Sequence, residues 1–163
     1  MTDPSGKKEI VLEQYCTFWI AERLFGVNIK DVNEITEEFK ITPIYHAPKE
    51  ILGYVNIRGQ IYLVIDTRVV LRFDQKSPDE KSRIILFKQS VGEYFGIMVD
   101  CIDGVVNINE RDIENRRKRD TGSPDGNEKR VSIKNLEKGV CRMENFLMVA
   151  LNAGSFLGSI KLN

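Results

Sequence analysis

Three aspartates, Asp66, Asp100 and Asp103, stand at or near the ends of apolar runs, where a carboxylate can serve as a general acid or base. To do so it needs a histidine, a lysine or a metal beside it. The single histidine, His46, lies in Thr42-Pro43-Ile44-Tyr45-His46-Ala47-Pro48, between two prolines, a setting for a loop residue. A zinc site needs several His or Cys at ligand spacing, and the sequence offers no such set. Cys16, Cys101 and Cys141 are odd in number, far apart and embedded in apolar, strand-like stretches. They are expected to be small buried hydrophobes rather than disulfides or a catalytic thiol. No glycine-rich phosphate loop precedes a helix, and no nucleophile elbow is present. The aspartates are therefore expected to cap turns, and the chain to be no enzyme, with no catalytic residue, cofactor or metal.

One further run could do chemistry by charge alone. Arg116-Arg117-Lys118-Arg119 would suit phosphate backbones, which makes a small nucleic-acid-binding β-barrel the alternative reading. Asp120 and Asp125 follow closely, however, and no aromatic residues are interleaved for base stacking. The 24 basic and 24 acidic residues cancel, so no bulk field draws the chain to DNA or anionic lipid. A solvated loop without nucleic acid is the expectation.

The elements that would position these residues are mostly strands. Residues 15–20 and 24–29 form β-branched and aromatic runs around Ala21-Glu22-Arg23, the pattern of a hairpin. Residues 51–57 and 60–66 form a second pair around Arg58-Gly59, where glycine can supply the positive φ of a tight turn. Residues 84–87 and 94–99 form a third around Gly92, and 140–143 and 146–152 a fourth around Glu144-Asn145. Helical periodicity is confined to residues 67–73 and to the turn after Pro48. The chain also repeats itself. Phe25-Gly26-Val27-Asn28-Ile29 matches Phe95-Gly96-Ile97-Met98-Val99, the run 60–65 matches 145–150, and Leu71 matches Phe156.

With 163 residues, 42% of them hydrophobic and 29% charged, the chain can build one globular unit of two related β-subunits sharing a boundary. The expectation is an all-β fold. Residues 1–12 form a flexible tail, and 13–163 a single domain with halves at about 13–75 and 82–160 that exchange boundary segments. Residues 114–131, nearly all turn formers and charge, absorb the extra length of the second half as a long polar loop. The N-terminus lacks the apolar core of a signal peptide, and no apolar run is long enough to span a bilayer, so a cytoplasmic protein is expected.

The stretch Leu52-Gly53-Tyr54-Val55-Asn56-Ile57-Arg58-Gly59-Gln60-Ile61-Tyr62-Leu63-Val64-Ile65-Asp66-Thr67-Arg68 resembles the signature of the CheW family. There a Leu-Gly-x-x-Asn-Leu-Arg-Gly hairpin leads into an apolar strand ending Val-Ile-Asp-Leu-Arg. Phe25-Gly26-Val27-Asn28-Ile29 with Val32-Asn33-Glu34-Ile35 is similar to an upstream block of that family. Ile41-Thr42-Pro43, Ala47-Pro48 and Phe95-Gly96-Ile97-Met98-Val99-Asp100 with Val105 are similar to others. The likeness runs from about residue 14 to 156. Tyr62-Leu63 replace a small residue and proline, Thr67 replaces leucine, and residues 142–146 replace a turn with Asp-Gly.

The resemblance implies two intertwined five-stranded SH3-like β-barrel subdomains with short helices. It also implies an adaptor of bacterial chemotaxis that couples the cytoplasmic tip of a chemoreceptor to the regulatory domain of the histidine kinase CheA. Barrel-to-barrel contacts would allow ring assembly, and the membrane would be reached only through receptors. Lacking a receiver or kinase extension, the chain fits the free adaptor. Receptor binding is expected at Val32, Glu34, Gly53, Ile57 and Arg58, with the Arg58 guanidinium projecting from its hairpin tip toward a carboxylate or carbonyl. Gly53 would let a receptor helix approach closely. The kinase is expected on the second-half strands, at Ile97, Val99 and Val105.

Overall fold

The computed structural model describes residues 11–37, 40–114 and 135–160. Most of the expected tail, most of the long polar loop and the whole basic run 116–119 lie outside the described residues.

Alternating runs of β-branched and aromatic residues become strands in chain order. These are β1 (Leu12–Ile20), β2 (Arg23–Asn28), β3 (Val32–Thr36), β4 (Ile51–Ile57), β5 (Gln60–Asp66), β6 (Arg83–Phe87), β7 (Phe95–Val99), β8 (Cys101–Asn109), β9 (Glu137–Arg142) and β10 (Leu147–Leu151). A four-residue helix, α1 (Thr67–Val70), follows β5, residues 135–136 are helical just before β9, and the other helical pieces among the described residues are single 3-10 turns. Two-residue turns with positive φ close the first two hairpins, Ala21 (46°) with Glu22 (68°) and Arg58 (50°) with Gly59 (85°). Such turns match the right-handed twist of the strands they join. Strands β3 and β8 were not among the expected hairpins; their alternation is broken by a bulge in each case.

The strands form two five-stranded sheets, ordered β8-β1-β2-β10-β9 and β3-β6-β7-β5-β4. The two orders are the same once β1–β5 are matched to β6–β10. Each half of the chain therefore gives its first two strands to the other half's sheet. The Phe-Gly strands occupy equivalent places: Phe25 of β2 pairs in parallel with Val149 of β10, and Phe95 of β7 with Leu63 of β5. That makes Leu63 the counterpart of Val149. It corrects the repeat alignment by one residue, since residues 60–65 answer to 146–151 rather than 145–150. A run of consecutive apolar residues is compatible with either register, and packing on both faces decides between them.

Packing follows the alternation. On β1, Cys16, Phe18 and Ile20 enter a core shared by both sheets, with Phe25 and Val27 of β2, Ile85 and Phe87 of β6, and Phe95, Ile97 and Val99 of β7. Tyr15 points the other way, into a core enclosed by its own sheet with Leu24, Ile108, Cys141 and Met148. Val55, Tyr62, Val64, Ile84, Leu86 and Met98 fill the corresponding core of the second sheet. Each sheet is thus curled round one small core and leans on a larger common one.

The expectation of closed barrels is corrected in its detail, because neither ladder closes on itself. The edges of each sheet are joined instead by one bridge. After β3 the chain returns to pair Thr42 with Tyr54 of β4, and after β8 it returns to pair Glu114 with Val140 of β9. Both bridges have two backbone hydrogen bonds of 2.8–2.9 Å. Pro43, with no N–H and a fixed φ, follows the first bridge directly and does not extend it.

Candidate functional site

The β4–β5 hairpin carries the residues that the sequence singled out, and its turn is built by side-chain chemistry. Asn56 Oδ1 accepts the Gly59 N–H at 2.9 Å and holds the tip in shape. Arg58 occupies the first turn position at positive φ, which an L side chain adopts only at some cost. Its side chain is 76% exposed and its guanidinium donates to the Glu34 carboxylate, reaching from the hairpin on one edge of the sheet to β3 on the other. Curling of the sheet thus brings together two residues that lie 24 positions apart.

The other three expected receptor residues sit differently. Val32 is half-buried against the shared core, and Ile57 is half-buried against the core of its own sheet. Gly53 is fully buried, and a Cβ placed there would lie 2.1 Å from the carbonyl oxygen of Thr42. The close approach that requires glycine at this position is therefore made by the chain's own bridging segment, not by a partner. Gly139, its counterpart in the repeat, stands likewise under a bridging carbonyl: a Cβ there would lie 2.4 Å from the Glu114 oxygen.

Around Glu34 and Arg58 the structure adds apolar residues that the sequence alone did not single out. Ile35 on β3, Tyr54 on β4 and Ile61 on β5 are all exposed. Tyr54 and Ile61 share the face of the hairpin opposite Val55 and Tyr62, as the pairing of Asn56 with Ile61 requires. Period-two alternation in residues 60–66 was the signal that could have found Ile61, because Tyr62 and Val64 already fill the inner face.

Of the expected kinase-binding residues, Ile97 and Val99 are completely buried. Strand β7 lies in the middle of its sheet with both faces covered, so neither side chain can meet a partner in this fold. That expectation is corrected. Val105, on edge strand β8, is 54% exposed and stays available. By the repeat it is the counterpart of Ile35, since Val105 pairs with Cys16 and Ile35 with Ile85. Ile97→Val is expected to cost about 0.5–1.5 kcal/mol of stability, as core methyl deletions do. Val105→Ser is expected to leave the melting temperature within about 1–2 °C. Thermal melts of the two variants would separate a core role from a surface one.

The aspartates serve structure. Asp66 Oδ1 accepts the Arg68 N–H at 3.1 Å and caps α1. Burial, opposed by backbone hydrogen bonds from Val69 and Arg68, leaves its carboxyl above the ordinary aspartate range. Asp103 accepts from the Thr17 hydroxyl and the Trp19 indole, both at 3.1 Å. Asp100 binds the Arg68 guanidinium and also accepts the Ala21 N–H at 3.0 Å. Among the described residues no three His, Cys, Asp or Glu side chains gather as a metal-binding group. Cys16 and Cys141 are buried, and desolvation pushes the Cys16 thiol up to about 11. The rings of His46 and Tyr45 meet at a tilt of 57°, centroids 4.0 Å apart. The Thr67 hydroxyl, where leucine was the residue implied by the resemblance, is buried without a hydrogen-bond partner among the described residues. No helix among the described residues is long and apolar enough to cross a membrane.

This geometry offers a partner one planar, charged tip on a hairpin that also exposes Tyr54 and Ile61. Comparison with known proteins addresses the family of the chain. The chain is 28% identical over 110 residues to the chemotaxis protein CheW of Rhizobium meliloti, covering 68% of this chain and 67% of the relative. It is 25% identical over 145 residues to the chemotaxis protein CheW of Bacillus subtilis, covering 89% and 86%. The solved structure of the scaffolding protein TtCheW from Thermoanaerobacter tengcongensis superposes with a TM-score of 0.71 at 26% identity, over 87% of this chain and 90% of that one. The family model of the CheW-like domain matches residues 14–157, nearly the whole chain, and the chain belongs to that family.

Proposed function

We propose that the chain is a chemotaxis adaptor that couples the cytoplasmic tips of chemoreceptors to the regulatory domain of the histidine kinase CheA. The observation that carries this reading is the exposed Arg58 guanidinium, held by a two-residue turn against Glu34, with exposed Tyr54 and Ile61 on the same hairpin and exposed Ile35 next to Glu34 in β3. A charged, forked donor beside apolar side chains is also the composition of a specific contact surface.

The receptor helix is placed on this patch, with its apolar stripe on Tyr54 and Ile61 and a carboxylate or carbonyl taken by Arg58. The kinase domain, itself CheW-like, is placed on the counterpart edge around Val105, which leaves both surfaces accessible at once and permits ring assembly. The curled sheets are read as SH3-like barrels joined at one edge by a bridge. The chain acts by binding alone, without catalysis, in the cytoplasm, and reaches the membrane only through receptors.

The test is co-sedimentation of the purified chain with a chemoreceptor cytoplasmic fragment and the CheA regulatory domain. Each partner should bring down the chain by itself, and all three should sediment together. Failure with both partners would exclude the reading.

A further inference from the structure

The two halves of the fold match strand for strand, so a feature present on only one side of the repeat is not required by the fold. The Arg68–Asp100 pair is such a feature. Asp100 lies at the crossover between β7 of one sheet and β8 of the other. Its Oδ2 takes the Arg68 guanidinium from α1, which continues β5, and also accepts the Ala21 N–H from the β1–β2 turn at 3.0 Å. Arg68 Nε donates in turn to the Asp74 carbonyl at 2.6 Å, in the segment linking the two halves. The carboxylate thus ties the turn of one sheet to the helix of the other, and the arginine ties both to the linker.

By the pairing registers, the counterpart of Arg68 is Gly154, and that of Asp100 is Lys30. Gly154 has no side chain to offer, and Lys30 is turned to Glu13 at 2.9 Å. The equivalent junction of the repeat therefore forms without this connection. Apolar packing in the shared core holds the sheets together but is non-directional and permits small sliding. A charge-assisted hydrogen bond has a fixed geometry.

We propose that Arg68 and Asp100 form a clasp that sets the orientation of one sheet relative to the other. On the adaptor reading, from which this follows, they are positioning residues that present the Arg58 patch and the Val105 edge in one fixed arrangement, so that two partners can be held together.

The experiment uses the full chain with Arg68→Gln and Asp100→Asn, the latter keeping an acceptor for the Ala21 N–H, and with Arg68→Lys as the charge-preserving variant. Binding to the receptor fragment and to the kinase domain is measured separately, and then three-part assembly. Each separate affinity should stay within about twofold of the parent, while assembly falls about five- to tenfold, and Arg68→Lys should recover part of the loss. Residual dipolar couplings of the free chain report the sheets directly. One orientation should describe both sheets in the parent, and a different or averaged one should be needed in Arg68→Gln and Asp100→Asn. Unchanged orientation, full assembly, or a parallel fall of both separate affinities with the melting temperature overturns the proposal. If the parent chain binds neither partner, the adaptor reading fails while the couplings still decide on the clasp.

Discussion

Gly53→Ala is expected to lose about 3–5 kcal/mol of stability, enough to leave a domain of this size marginally folded. Two penalties coincide at this position. Its φ of +148° is one that L side chains rarely adopt, and the added methyl would meet the Thr42 carbonyl oxygen at 2.1 Å. That oxygen cannot retreat without breaking the two 2.8 Å hydrogen bonds of the Thr42–Tyr54 bridge, the backbone link between the edges of its sheet among the described residues. Two other glycines separate the contributions. Gly139→Ala meets the Glu114 carbonyl at 2.4 Å without a positive φ and is expected to cost about 1–3 kcal/mol. Gly59→Ala has open space around it and only the φ of +85° to bear, so about 1 kcal/mol is expected. Urea unfolding of the three variants measures the order. A Gly53→Ala chain as stable as Gly59→Ala would mean that the bridge yields freely and that the glycine is kept for another reason.

Arg58→Ala should behave in the opposite way: little change in fold and a large change in binding. The side chain is mostly exposed, and its pairing with Glu34 lies at the surface, where ion pairs contribute little. Alanine bears the turn's positive φ much as arginine does, so the melting temperature should move by no more than about 2 °C. Loss of a forked, charge-assisted contact should weaken assembly with receptor and kinase by about 1.5–3 kcal/mol, or one to two orders of magnitude in affinity. Arg58→Lys should restore only part, since an ammonium lacks the planar fork. Paired thermal melts and co-sedimentation check both halves of the expectation. A stable Arg58→Ala chain that assembles normally would remove the residue from the contact, and an unfolded one would mark it as structural.

Much of the hairpin architecture was legible because it is local. Residues 51–57 and 60–66 alternate, and Arg58-Gly59 between them has the chemistry of a two-residue turn, so the strands and tip of β4–β5 follow from neighbours in sequence. The strand-rich class and the internal repeat were readable for the same reason. The motif through Asn56, Arg58 and Gly59 pointed to the family because those polar and glycine positions serve the turn and the exposed tip rather than a replaceable core.

What the sequence left open depends on which surfaces meet. Ile97, Val99 and Val105 are all apolar residues of the second half. Whether one of them is core or surface depends on its strand's place in the sheet, and an ordering that exchanges β1–β2 for β6–β7 is not written in either segment. The one-residue shift in the repeat has the same origin, because a continuous apolar run carries no face until both sides are packed. Gly53 was correctly marked as a place of close approach, but only the returning Thr42 segment shows what approaches. By itself the sequence determined the strands of the four hairpins, the turn that exposes Arg58 and the family to which the chain belongs. Tertiary structure alone decided that Glu34 would reach Arg58, that Asp100 would join two sheets, and that Ile97 and Val99 would be sealed inside, since each outcome depends on the curvature and exchange of sheets built from distant segments.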